Sequence, residues 1–189
     1  MKKVVYSDTI NLGGDVMPIN TTVKSGCFVE VLSRVDEQLK AMLSYHCKVL
    51  VLRLDLHMND YTPDNSLVSR FVRKLKKKLI AKYALKRVGH VWAREREKAK
   101  CQHYHLVLMI DANKVRHPSK IIVLCESIWV GWEQPKPYTP KNCYSVLKRG
   151  DKVKYDEVFR RISYLAKERG KGYKAKTAND YSTSRIKGK

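Results

Sequence analysis

No stretch of the chain approaches the roughly 18 consecutive apolar residues that a membrane-spanning helix needs. Its first residues, Met1-Lys2-Lys3-Val4-Val5, lack the apolar segment of a secretory signal. No C-x-x-C pair occurs, and the five cysteines (Cys27, Cys47, Cys101, Cys125, Cys143) are odd in number and widely scattered. A disulfide framework and a zinc cage are therefore both disfavoured, and a reducing, cytoplasmic setting is expected. Carboxylates are scarce as well. Asp plus Glu total 18 against 39 Lys plus Arg, a formal net charge of +21. Such an excess calls for a polyanion, either nucleic acid or an acidic membrane surface. With nothing in the chain that seeks a membrane, nucleic acid is the better partner.

What is present is ordinary in bulk. At 189 residues, 43% hydrophobic and 30% charged, the chain suits one domain with a real core and hardly two. The expected division is a single domain over residues 1–170, with 1–45 as an N-terminal extension and helix and 46–170 as the core. The small, polar, basic segment 171–189 is expected to be a flexible tail, or ordered only on DNA.

Along the chain, Asn11-Leu-Gly-Gly-Asp15 reads as a turn. Val35, Leu39, Met42 and Leu43 have helical spacing, with a start near Ser33. Lys48 to His57 reads as a strand, with Leu50, Leu52, Leu54 and Leu56 on one face and Val51, Arg53, Asp55 and His57 on the other. Pro63-Asp-Asn-Ser66 opens a helix running through Leu67, Phe71, Leu75, Leu79 and Tyr83, interleaved with lysine and arginine. Two strands, Val88–Glu95 and Gln102–Ile110, form a hairpin, and a helix follows from Pro118 to Trp129. After a Pro-rich loop come a short strand at Tyr144–Leu147 and a last helix from Val153 to Lys167, which Gly170 ends. From residue 48 the order is β-α-β-β-α-β and then a helix, the ferredoxin-like split βαβ arrangement of the α+β class, with its helices on one face. Its strand order, 4-1-3-2, puts the Gln102–Ile110 strand mid-sheet.

His103-Tyr-His105 is the sharpest chemical signal. Histidines at i and i+2 on a strand share a face, so both can ligate one ion. An isolated pair of this kind is as often two ordinary surface histidines. Glu95, eight residues before His103, faces it across the hairpin if the loop has an odd number of residues, and Glu97 is the alternative on the same face. Either completes a His/His/carboxylate set with positions open for phosphate and water. A zinc site with Cys101 ranks lower, because Cys101 falls in the loop. On the last helix, Tyr164 lies off the apolar stripe of Val158, Phe159, Ile162, Leu165 and Ala166, on the side of Arg160 and Lys167. The Lys167 ammonium, three residues on, is expected to lower the phenol's pKa or balance a phosphotyrosine. Asp55 and His57 are candidates to orient a ligand or the tyrosine. The run Arg73-Lys-Leu-Lys-Lys-Lys78 serves as a solvated helix face, a DNA patch, or both. Trp129 and Trp132 are candidates to stack on bases, but core or rim packing suits residues in and just after an apolar helix better.

Four pieces together, Val51-Leu-Arg-Leu-Asp-Leu-His57, Trp92-Ala-Arg-Glu95, His103-Tyr-His-Leu-Val-Leu108 and Tyr164-Leu-Ala-Lys167, resemble the HUH endonuclease superfamily. Within it they are similar to phage and prophage proteins related to the inovirus gene-2 replication protein and the YagK-YfjJ C-terminal family. The resemblance spans roughly residues 45–170. It implies an Mg²⁺- or Mn²⁺-dependent nickase that links itself through Tyr164 to a DNA 5′ end and starts rolling-circle replication in a bacterial cytoplasm. His103, His105 and Glu95 would hold the ion and Lys167 would assist the nucleophile, while Arg53, Arg94, Arg160 and Lys171 would hold DNA. The implied partners are single-stranded or hairpin DNA, a host polymerase and a host helicase. Two features depart from the family pattern. There is one suitably placed tyrosine, since Tyr173 faces away, and no helicase segment follows, so unwinding falls to another protein.

Two other classes compete. A non-catalytic nucleic-acid-binding module can share this topology, but its sheet binds by aromatic stacking and this chain offers histidines instead. A single-tyrosine transposase of the same superfamily stays open as an alternative on sequence; a plasmid relaxase does not fit, for want of an N-terminal nucleophile and a third clustered histidine.

Overall fold

Leu50, Leu52, Leu54 and Leu56 alternate with Val49, Val51, Arg53 and Asp55, and this alternation sets the centre of the architecture. The structure, a computed structural model, describes residues 3–96 and 100–189; Glu97, the alternative carboxylate, lies outside the described residues. The elements in chain order are β1 (Val4–Val5), β2 (Thr9–Leu12), β3 (Asp15–Pro18), β4 (Cys27–Phe28), α1 (Val29–Tyr45), β5 (Lys48–His57) and α2 (Ser66–Tyr83). Then follow β6 (Gly89–Glu95), β7 (His103–Asp111), α3 (Ser119–Val130), β8 (Tyr144–Lys148), α4 (Lys152–Ile162), a 3₁₀ turn (Ser163–Ala166) and β9 (Tyr181–Thr183).

Five strands form one sheet in the order β8-β5-β7-β6-β9, every neighbouring pair antiparallel. The first four reproduce the expected 4-1-3-2 order of a ferredoxin-like α+β fold, and β9 adds a fifth strand. Strand alternation gives the sheet two faces, and each has its own core. Leu50, Leu52, Leu54 and Leu56 join Trp92, Leu106, Leu108 and Ile110 beneath α2 and α3, which contribute Phe71, Leu75, Leu79 and Trp129. Val49, Val51, Val91, Ala93, Val107 and Met109 form the opposite face, beneath α1 and α4. The two helices of the split βαβ units thus share a face as expected, and the flanking helices cover the other. Each buried leucine of this kind typically costs about 2–5 kcal/mol when cut to alanine.

The N-terminal segment is more structured than its weak periodicity suggests. Gly13 and Gly14, both left-handed at φ 64° and 95°, make the turn, which joins β2 to β3 as a two-residue hairpin. Helix α1 begins at Val29 rather than near Ser33, because Phe28 precedes it without a side-chain cap and leaves no start signal to read. Helix α4 starts where Asp151 accepts a hydrogen bond from Lys154 N, and it ends at Ile162 instead of Lys167. At that point Ser163 Oγ donates to Arg160 O at 2.7 Å and accepts from Asn20 N at 2.8 Å. The chain tightens there into the 3₁₀ turn.

The segment after Lys171 is not a loose tail. Strand β9 pairs with β6 in the register Val91↔Thr183, Trp92↔Ser182, Ala93↔Tyr181, and Ile186 packs on the α1 core. It satisfies backbone groups that an edge β6 would leave open. No helix among the described residues is long and apolar enough to cross a membrane.

His90, on β6, has a buried Nδ1 without a partner among the described residues; burial, helped by the nearby Lys76 charge, pushes its pKa down to about 4. The unfolded chain takes up this proton near the ordinary value of 6.5, whereas the folded protein refuses it until about pH 4. Stability is therefore full above that upper value and is lost as pH falls through the window. Replacing His90 by Gln should remove about 3 kcal/mol of the stability difference between pH 7 and pH 4, measured by urea unfolding of both proteins.

Candidate metal centre and the tyrosine beside it

Along three neighbouring strands the face beneath α1 changes from apolar to polar at one end of the sheet. On β5, Val49 and Val51 give way to Arg53, Asp55 and His57; on β7, Met109 and Val107 give way to His105 and His103; on β6, Val91 and Ala93 give way to Glu95. The register places Asp55 opposite His105, His57 opposite His103 and Glu95 opposite His103. Alternation and register alone thus gather the polar ends of three strands at one spot.

Glu95 Oε2 lies 3.1 Å from His105 Nε2 and 3.8 Å from His103 Nε2. One ligand atom from each of Glu95, His103 and His105 falls within 4.8 Å of the others, the geometry of a group that could hold a metal ion. The supporting contacts suit that use. Asp55 Oδ1 sits 2.7 Å from His105 Nδ1, which fixes the ring so that Nε2 faces Glu95, the arrangement usual behind a metal-ligating histidine. Arg53 in turn braces Asp55, Nε to Oδ1 and Nη2 to Oδ2, both at 3.2 Å. His57 stacks on the His103 ring at 5.6 Å between centroids.

The charges are arranged to match. Burial raises the Glu95 carboxyl, but the His105 hydrogen bond and the Lys171 charge outweigh it and hold the group at about 2. Burial, with His105 beside it, depresses His103 to about 4, so its imidazole is neutral and its lone pair open at physiological pH. His105 goes the other way: burial lowers it, and the hydrogen bonds to Asp55 and Glu95 more than reverse that. Two imidazoles and one ionised carboxylate suit a divalent transition ion, or Mg²⁺ with added water.

Tyr164 reaches this group from the 3₁₀ turn. Its ring packs edge-on to His105 at 5.1 Å, with the Arg53 guanidinium 4.4 Å over its face. A cleft of about 350 Å³ joins the parts, lined by Thr22, Ser25, Glu95, His103, Tyr164, Lys167, Arg169 and Gly170. The Ser25 hydroxyl is buried and has no hydrogen-bond partner among the described residues. Neither Thr22 nor Ser25 carries a signal in the sequence. They arrive because the N-terminal arm is tied to the tyrosine segment, with Gly26 N donating to Glu168 Oε1 at 2.9 Å and Glu168 N to Gly26 O at 3.0 Å.

Three expectations change. Lys167 leaves the Tyr164 pKa raised rather than lowered. Its Nζ lies over the ring face, 5.3 Å from the centroid, and burial with the charges of Glu95 and Asp55 raises the phenol against Arg53 and Arg169. Arg94 is no DNA contact: the alternation that puts Glu95 in the cleft turns Arg94 to the opposite face. There, only 2% exposed, it donates to Thr62 O, Asp64 O and Asn65 Oδ1. Lys171 is no DNA contact either. Its side chain is 0% exposed, and Nζ pairs with Glu95 Oε1 at 2.7 Å while donating to Lys167 O. Gly170, left-handed at φ 78°, permits this approach, since a Cβ there would meet Glu95 Cβ at 3.3 Å. Arg160 is exposed on α4, and Arg53 is half-buried between Asp55 and Tyr164. Cys101 sits before β7 with its thiol on Asn59 O, apart from the histidines.

Fold and site together define a ferredoxin-like α+β protein with a two-histidine, one-carboxylate group able to hold a metal ion. The YagK/YfjJ C-terminal domain matches over residues 17–180, and the chain belongs to that family. The match takes in the N-terminal arm as well as the sheet. No curated protein and no solved structure matches the chain.

Two measurements probe the centre. Asp55→Asn should weaken Mn²⁺ binding by about 10- to 100-fold in calorimetric titration, since the ring it orients is a ligand. Lys171→Met should lower unfolding free energy by about 3 kcal/mol, because it strips a buried carboxylate of its ammonium.

Proposed function

We propose that the protein is an HUH-type, metal-dependent tyrosine endonuclease that nicks single-stranded DNA to start rolling-circle replication of a phage or prophage. One observation carries the reading: Tyr164 packs against His105 and shares one cleft with Glu95 and His103, so nucleophile and metal ligands converge. The motif order and the net charge of +21 support it.

In this reading the basic surface, with exposed Arg160 on α4, draws in single-stranded or hairpin DNA through its phosphates. The scissile phosphate enters the cleft, where the otherwise unpartnered Ser25 hydroxyl and the Lys167 ammonium meet its non-bridging oxygens. Glu95, His103 and His105 would hold an Mg²⁺ or Mn²⁺ ion, which would supply Lewis-acid polarisation of a phosphate. Asp55 keeps His105 aimed, and Arg53 braces both Asp55 and the tyrosine ring. Tyr164 Oη attacks phosphorus; the P–Oη bond forms, the P–O3′ bond breaks, and the phenol proton is lost to solvent as the 3′ oxygen gains one. A 5′-phosphotyrosine and a free 3′-OH result, the latter a primer for a host polymerase, with a host helicase opening the duplex. Attack by another 3′-OH reverses the step.

The test is a covalent adduct. Purified protein, Mn²⁺ and a pool of single-stranded oligonucleotides drawn from the replicon should give a band of raised mass on a denaturing gel. Tyr164→Phe, the double change His103→Ala with His105→Ala, or EDTA should each reduce it by about 10³-fold or more. Salt-sensitive binding without adduct from any oligonucleotide would sink the nuclease reading and leave a binding module. Cleavage at two element ends instead of one origin would assign it to transposition.

A further inference from the structure

The outer face of α2 is untouched by the reading above. Between residues 65 and 94 the chain carries ten lysines and arginines and no carboxylate. Along α2, Arg70, Arg73, Lys74, Lys77, Lys78 and Lys82 are exposed, and none of them forms an ion pair among the described residues. Arg70 and Lys74 both lie 5.2 Å over the Trp132 ring, which gathers two cations at one place on the surface. Like charges at i, i+3 and i+4 repel one another, so this helix carries an electrostatic cost that a bound anion would offset. It packs on the sheet face opposite the cleft, through Val68, Phe71, Val72, Leu75 and Leu79.

We propose that the outer face of α2 is a sequence-independent binding surface for the phosphate backbone of double-stranded nucleic acid, separate from the cleft. Three features select that ligand. The helix has 18 residues, so it is a straight, convex row of charge about 27 Å long, matching about eight base pairs. The aromatic rings at this face, Trp132 under Arg70 and Lys74 and Tyr83 beside Lys82, are half-buried and covered by cations, whereas single strands are held by base stacking in grooves. Its apolar stripe is already buried in the core, so no greasy face remains to enter a bilayer. A duplex held here lies on the far side of the sheet from a strand in the cleft, so the protein can grip both at a fork. The surface stands on its own observations and does not depend on Tyr164 being a nucleophile.

The experiment uses the full chain in EDTA with a fluorescent 20-base-pair duplex of random sequence, followed by anisotropy over a range of NaCl concentrations. One variant carries Arg70→Gln, Arg73→Gln, Lys74→Gln, Lys77→Gln and Lys78→Gln. A charge-matched control carries Lys120→Gln, Lys141→Gln, Lys148→Gln, Lys176→Gln and Lys187→Gln, all at exposed positions elsewhere. The α2 variant should weaken duplex binding at least tenfold at about 0.1 M salt and reduce the slope of log K against log salt by about 4, while the control stays within about threefold of the wild type. Its melting temperature should match or exceed the wild type's at low salt, which separates lost contacts from lost fold. Equal weakening of both variants would reduce the effect to bulk charge and overturn the proposal. So would unchanged binding, or transfer of the preference to vesicles of anionic lipid. Because neither metal nor chemistry enters the measurement, failure of the nuclease reading leaves its outcome intact.

Discussion

A carboxylate buried in a protein interior needs partners on both of its oxygens, and the site is organised around meeting that demand for Glu95. Lys171 holds Oε1 at 2.7 Å and His105 meets Oε2 at 3.1 Å. The chain of contacts continues through His105 to Asp55 and from Asp55 to Arg53, so acids and bases alternate across three strands and the C-terminal segment. Removing one member exposes the next as an unmatched buried charge, which costs far more than the pair itself contributes. The same network leaves Oε2 and the two histidine nitrogens pointing at a common position. Stability and the capacity to hold a cation therefore draw on one set of contacts.

The sheet, and the centre of the site, were legible because strand periodicity is strict. Alternation in Lys48–His57, with Leu on even positions, fixed which side Asp55 would take. The i, i+2 spacing of His103 and His105 then fixed theirs, and Glu95 followed once the hairpin register was odd. The same parity argument applied one residue earlier would have turned Arg94 away from DNA and toward Tyr104. Its charge suggested a ligand, but its position placed it under α2.

What the sequence concealed depends on partners distant along the chain. Lys171 looks like any basic tail residue until its ammonium is seen against Glu95, 76 positions earlier. Strand β9 is three residues in a polar stretch and exists because β6 offers an edge to pair with. The helix ending at Ile162 rather than Lys167 turns on Ser163, whose hydroxyl bonds both its own helix and Asn20, 143 residues away. None of these carries a local pattern, since each depends on a partner far along the chain.

The 3₁₀ turn also explains why the N-terminal arm belongs to the domain. A tyrosine on a continuous helix would project at an angle set by that helix alone. Tyr164 instead sits on a tightened turn that lies between β4 and α1, with Cys27 bridging Lys167 and Glu168 clasping Gly26. The arm therefore sets the approach of the ring to His105 and also brings Ser25 into the cleft. The family match beginning at residue 17, well before the sheet's first strand at Lys48, agrees with an arm that is part of the working unit. Position, more than acidity, is what the fold gives this tyrosine. Its pKa is raised by burial and by Glu95, so the phenol rests protonated.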